Sequence, residues 1–313
     1  MRSLLLSALL PLVLYADAHL FVFHRFGDAQ HASTNTSVQT LRAEFDYLKD
    51  NGYEVIPLSR LASALKNNEP VDSKWVVLTI DDGYTSFYEN GLPVFKEYAY
   101  PFTLFVYVEA TDKGYRDFMS WEQIREAAKY GEIGLHSYGH RHETQLNTAL
   151  LKEDTGKGLR SFATQMRTVP RYYAYPFGEY NDDVKAAISS FGFDLVLNQT
   201  SGAVNETSDP LDLDRIALTG ENLIAQKLRL ERLEAEWIAP KRWPEGGRLK
   251  EIHAKIAPSY TSVELYVTGY GWHRVPVKNG EIHEKTDLPL TNERSRIFLK
   301  AGRKQNGIIL VKE

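Results

Sequence analysis

Two periods of hydrophobic patterning divide this 313-residue chain. From residue 19 to about 220, short unbroken apolar runs alternate with stretches whose apolar positions recur every three or four residues. The runs at 20–26, 53–57, 75–80, 102–108, 132–135, 172–175, 194–197 and 215–218 read as strands. Between them, residues 38–50 place Leu41, Phe45 and Leu48 on one helical face, with Gly52 just past the end. Ser120-Trp121-Glu122-Gln123 is a capping box opening a helix that stops at Gly131, and Asn181 caps one ending at Gly192. Strands that are apolar throughout are covered on both faces, so the pattern predicts an α/β fold on a parallel sheet, either a barrel or a doubly wound sheet. Eight such strands favour a (β/α) barrel, whose active residues sit where strands end and loops begin.

The period changes after Thr219. Residues 221–240 are charged and helix-prone, with Leu223, Leu228, Leu230 and Leu233 spaced as a helical connector. Pro240, Pro244, Gly246 and Gly247 then mark a loop, and residues 241–313 alternate with a period of two. This part reads as a small all-β, sandwich-like domain, with Asn279-Gly280 as a hairpin turn. Its aromatics Tyr260, Tyr266, Tyr270 and Trp272 read as strand-core residues, a sugar-binding face being the alternative.

The first 18 residues depart from both patterns. Arg2, an apolar run at 4–14 and Ala16-Asp17-Ala18 have the order of a signal peptide, with cleavage after Ala18 or Ala16. The apolar run is too short to span a bilayer, so no transmembrane anchor is expected after cleavage. The chain has no cysteine, which excludes disulfides, thiolate metal sites and a cysteine nucleophile. Export without disulfides fits a bacterial periplasm or cell surface, or release outside the cell. A formal net charge of -4 argues against a nucleic-acid partner, which would demand an excess of Lys and Arg.

Three strand ends carry candidate chemistry. The run 75–80 leads into Asp81-Asp82-Gly83. Two carboxylates leaving a buried strand are costly unless a cation or a reaction holds them there, although Asp-Asp-Gly alone is equally a surface turn. The run 132–135 leads into His136-Ser137-Tyr138-Gly139-His140, and with Asp82 these imidazoles make a two-His, one-carboxylate set with positions left open. The run 172–175 leads into Pro176-Phe177-Gly178, a rigid turn whose backbone N–H groups could face an oxyanion.

Thr79-Ile80-Asp81-Asp82-Gly83, His136-x-x-x-His140 and Tyr175-Pro176-Phe177-Gly178, in this order, resemble the polysaccharide deacetylase family (the NodB homology domain, carbohydrate esterase family four). The resemblance covers residues 19–220, including Phe23-His24-Arg25-Phe26. It implies a distorted (β/α) barrel and metal-dependent removal of acetyl groups from an N-acetylated polysaccharide. Carried over, Asp81 is the general base, and Asp82, His136 and His140 hold one divalent ion. Zinc is the first choice for that ion, with nickel, cobalt or iron as alternatives. Phe177 and Tyr175 face the oxyanion and the substrate.

Two positions depart from the family pattern. Ala174 stands where many members have an Arg that orients the base, so Arg215 is the candidate substitute or else a structural ion pair. Thr219 stands where many have a proton-donating His, so Asp81, His24 or His142 would have to supply that proton. Biofilm poly-N-acetylglucosamine deacetylases resemble this variant in both gaps. The rival readings are an O-acetyl polysaccharide or xylan esterase, and a weakly active glycan-binding assembly protein.

Overall fold

The structure, a computed structural model, describes residues 16–312. The apolar core of the expected leader therefore lies outside the described residues. Asp17 and Ala18 are inside them and belong to the fold. Ala18 is buried and bridges Val204, and the Asp17 carboxylate accepts the Arg232 N–H at 2.9 Å. Of the two expected cleavage points, only the one after Ala16 leaves this pairing intact.

Eight strands form the first sheet: β1 His19–Phe23, β2 Glu54–Val55, β3 Trp75–Ile80, β4 Thr103–Val106, β5 Glu132–Leu135, β6 Tyr172–Ala174, β7 Leu195–Leu197 and β8 Ile216–Ala217. Every pairing is parallel, in the order β8-β1-β3-β4-β5-β6-β7, with β2 on the first residues of β3. The ring closes through a single bridge, Leu197 to Leu213, made by the segment that runs into β8. This is a distorted (β/α) barrel.

Alternate residues of a strand face opposite sides, and the core divides accordingly. Phe21, Val76, Leu78 and Ile80 meet Leu41, Phe45 and Leu48 of the helix Val38–Asp50 on the outside. Leu20, Trp75 and Val77 join Phe105, Ala174 and Leu197, together with Leu61 and Leu65 of the helix Leu58–Asn67. Thr79 and Asp81 continue the parity of Trp75 and Val77, which aims both at the barrel interior.

The second unit begins earlier than the sequence pattern predicts. The stretch 221–240 is helical only over Ile224–Lys227, whereas β9 Glu231–Arg232 and β10 Ala235–Ala239 are strands. Leu233 explains the difference: it is buried in the β core, which outweighs the helical spacing of its neighbours. The remaining strands are β11 Arg248–Ile256, β12 Ser262–Val267, β13 Gly271–Pro276, β14 Glu281–Pro289, β15 Arg294–Ala301 and β16 Lys304–Val311. They form two sheets, β9-β16-β15-β12-β13 and β10-β11-β14, around Leu249, Ile252, Leu265, Val267, Ile297 and Leu299.

Asn279-Gly280 turns with φ of 53° and 82°, as its residues predict. Lys278 and Glu281 exchange both backbone hydrogen bonds across it at 2.9 Å, so it is the expected tight hairpin turn, and it carries the chain from β13 in one sheet to β14 in the other. The aromatics also divide. Tyr260 packs on the core, while Trp272 and Tyr270 are 46% and 42% exposed, and Tyr266 packs against the Trp272 and Phe298 rings. The expectation that all four are core residues fails because their strand parity turns Tyr266 and Trp272 outward.

Candidate active site

β3 delivers Asp81 and Asp82 to the end of the barrel. The Asp81 N–H still bonds to Phe23 O at 2.9 Å, and then the chain turns through positive φ at Asp82 (73°) and Gly83 (80°). Positive φ is uncommon for a residue with a side chain, and here it recurs at Ser137 (59°), His140 (47°) and Phe177 (59°). Strained backbone thus gathers at the three strand ends that carry the candidate chemistry.

Asp81 is completely buried and clamped by Arg215, also completely buried. Nη1 donates to Oδ1 at 2.7 Å and Nη2 to Oδ2 at 2.8 Å. The same guanidinium donates to Thr79 Oγ1 at 3.0 Å and to Asn198 O at 2.8 Å, so its plane is set by the barrel wall. Gln199 Nε2 donates to Asp81 Oδ2 at 3.2 Å. Burial, the largest influence, raises the Asp81 carboxyl, but the charge and hydrogen bonds of Arg215 together with the nearby His136 and His24 outweigh it and hold the group below the usual carboxylate range. The result is a dry, oriented carboxylate.

Asp82, His136 and His140 offer ligand atoms that lie within 4.8 Å of one another. His140 Nε2 is 3.0 Å and His136 Nε2 3.4 Å from Asp82 Oδ1, yet that oxygen is shut off from solvent and has no hydrogen-bond partner. Burial raises the Asp82 carboxyl, and the facing imidazoles more than offset this and hold it well below its ordinary value. His136 Nδ1 lies 2.7 Å from Ala174 O. A carbonyl can only accept, so Nδ1 carries a proton and Nε2 is the nitrogen turned toward Asp82. The His140 loop is tied by its own N–H to Ser137 Oγ at 2.8 Å, and by Tyr138 and Gly139 N–H to the Asp154 carboxylate at 2.9 and 3.1 Å. Two imidazole nitrogens, one orphaned buried carboxylate oxygen and ordered supporting hydrogen bonds fit a divalent ion of the zinc type.

The Phe177 turn closes the third side. Its ring lies edge-on to His140 at 4.6 Å and flat on His142 at 4.2 Å. Gly178 has φ of 69°, and a Cβ there would meet the Gln199 backbone nitrogen at 2.4 Å, so only glycine allows this approach. His142 Nδ1 is 2.7 Å from Glu179 Oε2, and Glu179 is buried. Arg294 of β15 reaches across from the second unit, with Nη2 donating to Phe177 O at 2.6 Å and Nε 3.4 Å from Glu179 Oε1.

The structure brings Asp81, Asp82, His136, His140, Phe177 and Arg215 together. Tyr175 departs from expectation. Its side chain is completely buried and stacked on Tyr180 at 5.0 Å, and its N–H is bonded to Leu197 O, so it supports the turn from beneath. His142 is engaged by Glu179 and Phe177. His24 follows β1 and feels the charges of Asp82 and Asp81, while burial pulls its imidazole below the ordinary value and leaves Nδ1 unpartnered. Gln199, Glu179, Asp154 and Arg294 carry no motif, and sequence reasoning missed them. Only the position of Gln199, just past a strand end, could have drawn notice.

Residues 68–196 match the family described as polysaccharide deacetylase. A poly-beta-1,6-N-acetyl-D-glucosamine N-deacetylase of Escherichia coli K12 is 24% identical over 223 residues, covering 57% of this chain and 32% of that protein. Among solved structures, the deacetylase PplD of Streptococcus pyogenes matches 69% of this chain and 99% of its own, at 21% identity and a TM-score of 0.63. IcaB of Ammonifex degensii matches 68% of this chain and 96% of its own, at 25% identity and a TM-score of 0.61. Across residues 68–196, the barrel of this chain matches the polysaccharide deacetylase family, a family of hydrolases.

Proposed function

We propose that this protein removes acetyl groups from the amide nitrogens of an N-acetylglucosamine-type polysaccharide, with one divalent ion held by Asp82, His136 and His140. The observation that carries the reading is Asp82 Oδ1, buried without a hydrogen-bond partner and faced by two imidazole nitrogens at 3.0 and 3.4 Å. Zinc suits this donor set, and nickel, cobalt or iron would also be accepted. Such an ion supplies Lewis acidity, polarising the acetyl carbonyl and easing deprotonation of water.

The chain's own groups account for the rest. Asp81, kept anionic by Arg215, is the base that takes the proton of the attacking water. Arg215 here fills the place of the arginine missing at Ala174. The Phe177 turn lines the side where the oxyanion develops. Asp81, once it has taken the proton of the water, is the candidate donor to the departing amine, and His24, whose imidazole burial holds below its ordinary value, serves only to relay that proton. His142 is held by Glu179 at Nδ1, and its ring is stacked flat on Phe177. The names of the relatives support a glucosamine polymer as substrate. The leader-like pattern of Arg2 and residues 4–14 supports export, and no helix among the described residues is long and apolar enough to cross a membrane.

The test is acetate release from N-acetylglucosamine oligomers and from acetylated xylan, with chelator and with added zinc. Release from the first substrate, abolished by chelation and by Asp81→Asn, is expected. A zinc-loaded protein that releases acetate from neither substrate overturns the reading, and release from xylan alone makes it an O-acetyl esterase.

A further inference from the structure

The second unit carries a cluster of metal-ligating side chains that the deacetylase reading does not use. β11 and β14 are antiparallel, and their register sets His253 directly opposite His283. The two imidazoles stack at 4.7 Å with planes 13° apart. Glu251 precedes His253 by two residues, hence on the same face of the sheet, and its Oε1 lies 2.5 Å from His283 Nε2. Glu281 flanks the pair, with Oε2 3.6 Å from His253 Nε2.

Two features separate this cluster from an ordinary cross-strand ion pair. First, His253 Nε2 is closed off from solvent and has no hydrogen-bond partner, which leaves a polar atom with an unmet need. Secondly, ligand atoms of Glu251, His253 and His283 already lie within 4.8 Å of one another. The backbone itself is held, because the intervening residues Ile252, Ala254 and Ile282 are completely buried in the sandwich core. Donors fixed on paired strands lose little freedom on binding.

We infer that Glu251, His253 and His283 form a second divalent transition-metal site, with Glu281 in reach as a fourth donor. Two imidazoles and a carboxylate select zinc, nickel or copper(II). Magnesium and calcium, which take all-oxygen shells, are disfavoured. The site is independent of the barrel chemistry, and it gives the second unit a ligand of its own.

Equilibrium dialysis of the whole protein against micromolar zinc measures this directly, without reference to acetate release. Wild type is expected to bind two ions, the His136→Ala/His140→Ala variant one, and the same variant carrying His283→Ala none. Substituting His283 is mild for the fold, since its side chain is 46% exposed. Copper(II) added to the His136→Ala/His140→Ala variant should give an electron paramagnetic resonance spectrum with nitrogen splitting that His253→Ala simplifies. The inference is overturned if that double variant binds no zinc below millimolar concentrations. It is equally overturned if His283→Ala leaves the binding unchanged.

Discussion

Arg294 and Phe177 lie 117 positions apart, on different units of the protein, and are joined by a hydrogen bond of 2.6 Å from guanidinium to carbonyl. That bond, with the His142 ring against the Phe177 ring, holds a non-glycine residue at φ of 59° beside the His140 imidazole. The β sandwich therefore braces the Phe177 loop. Removing the brace lets Phe177 relax toward ordinary backbone angles and moves its turn away from the reacting carbonyl. Arg294→Ala is expected to lower kcat about tenfold or more while changing KM little, since small misplacements cost most in the transition state. Arg294→Lys should recover part of the loss. Steady-state acetate release on the three proteins checks this, and equal kcat values would refute it.

The Asp81–Arg215 pair makes a second prediction. Both groups are completely buried, so removing one leaves the other charged and uncompensated. Arg215→Ala should cost about 3–5 kcal/mol of stability. It should also let burial raise the Asp81 carboxyl, moving the acidic limb of the kcat/KM profile to higher pH. The double variant Asp81→Asn/Arg215→Ala should be more stable than Arg215→Ala alone, because no buried charge remains. Denaturant unfolding of the three variants gives the coupling, and simple additivity would contradict it.

A third prediction concerns pH and stability. Glu44, on the helix Val38–Asp50, is completely buried with both carboxylate oxygens unpartnered, and burial pushes it up to about 7. Burial likewise pushes Glu143 up to about 8 and Asp214 to about 7. Each of these acids holds its proton more tightly when folded, so unfolding releases protons between the ordinary carboxylate range and pH 7 to 8. Stability must then fall as pH rises through that window, by up to about 1.4 kcal/mol per pH unit for each group. Thermal unfolding between pH 5 and 8 should show this slope, and Glu44→Gln should flatten it. A slope unaffected by that substitution would show that Glu44 is not protonated in the fold.

The sequence by itself determined the barrel, the order of its strands, and the residues that leave their ends. Apolar runs such as Val76, Val77 and Leu78 can be buried only in a sheet covered on both faces, and a parallel sheet puts every strand end on one rim. Asp81, Asp82, His136, His140 and Phe177 were legible for that reason. Tertiary structure decided what holds them. Arg215 meets Asp81 only because the barrel closes through Leu213 beside β7. Glu179 and Arg294 carry no local signal, and Gln199 none beyond its place just past a strand end, since their roles arise from contacts between residues distant in the chain. The stretch 221–240 shows the same limit in reverse: its helical spacing is a local preference, and burial of Leu233 in a β core overrode it. Local periodicity reports which faces must be covered, whereas only the assembled fold supplies the partner that covers them.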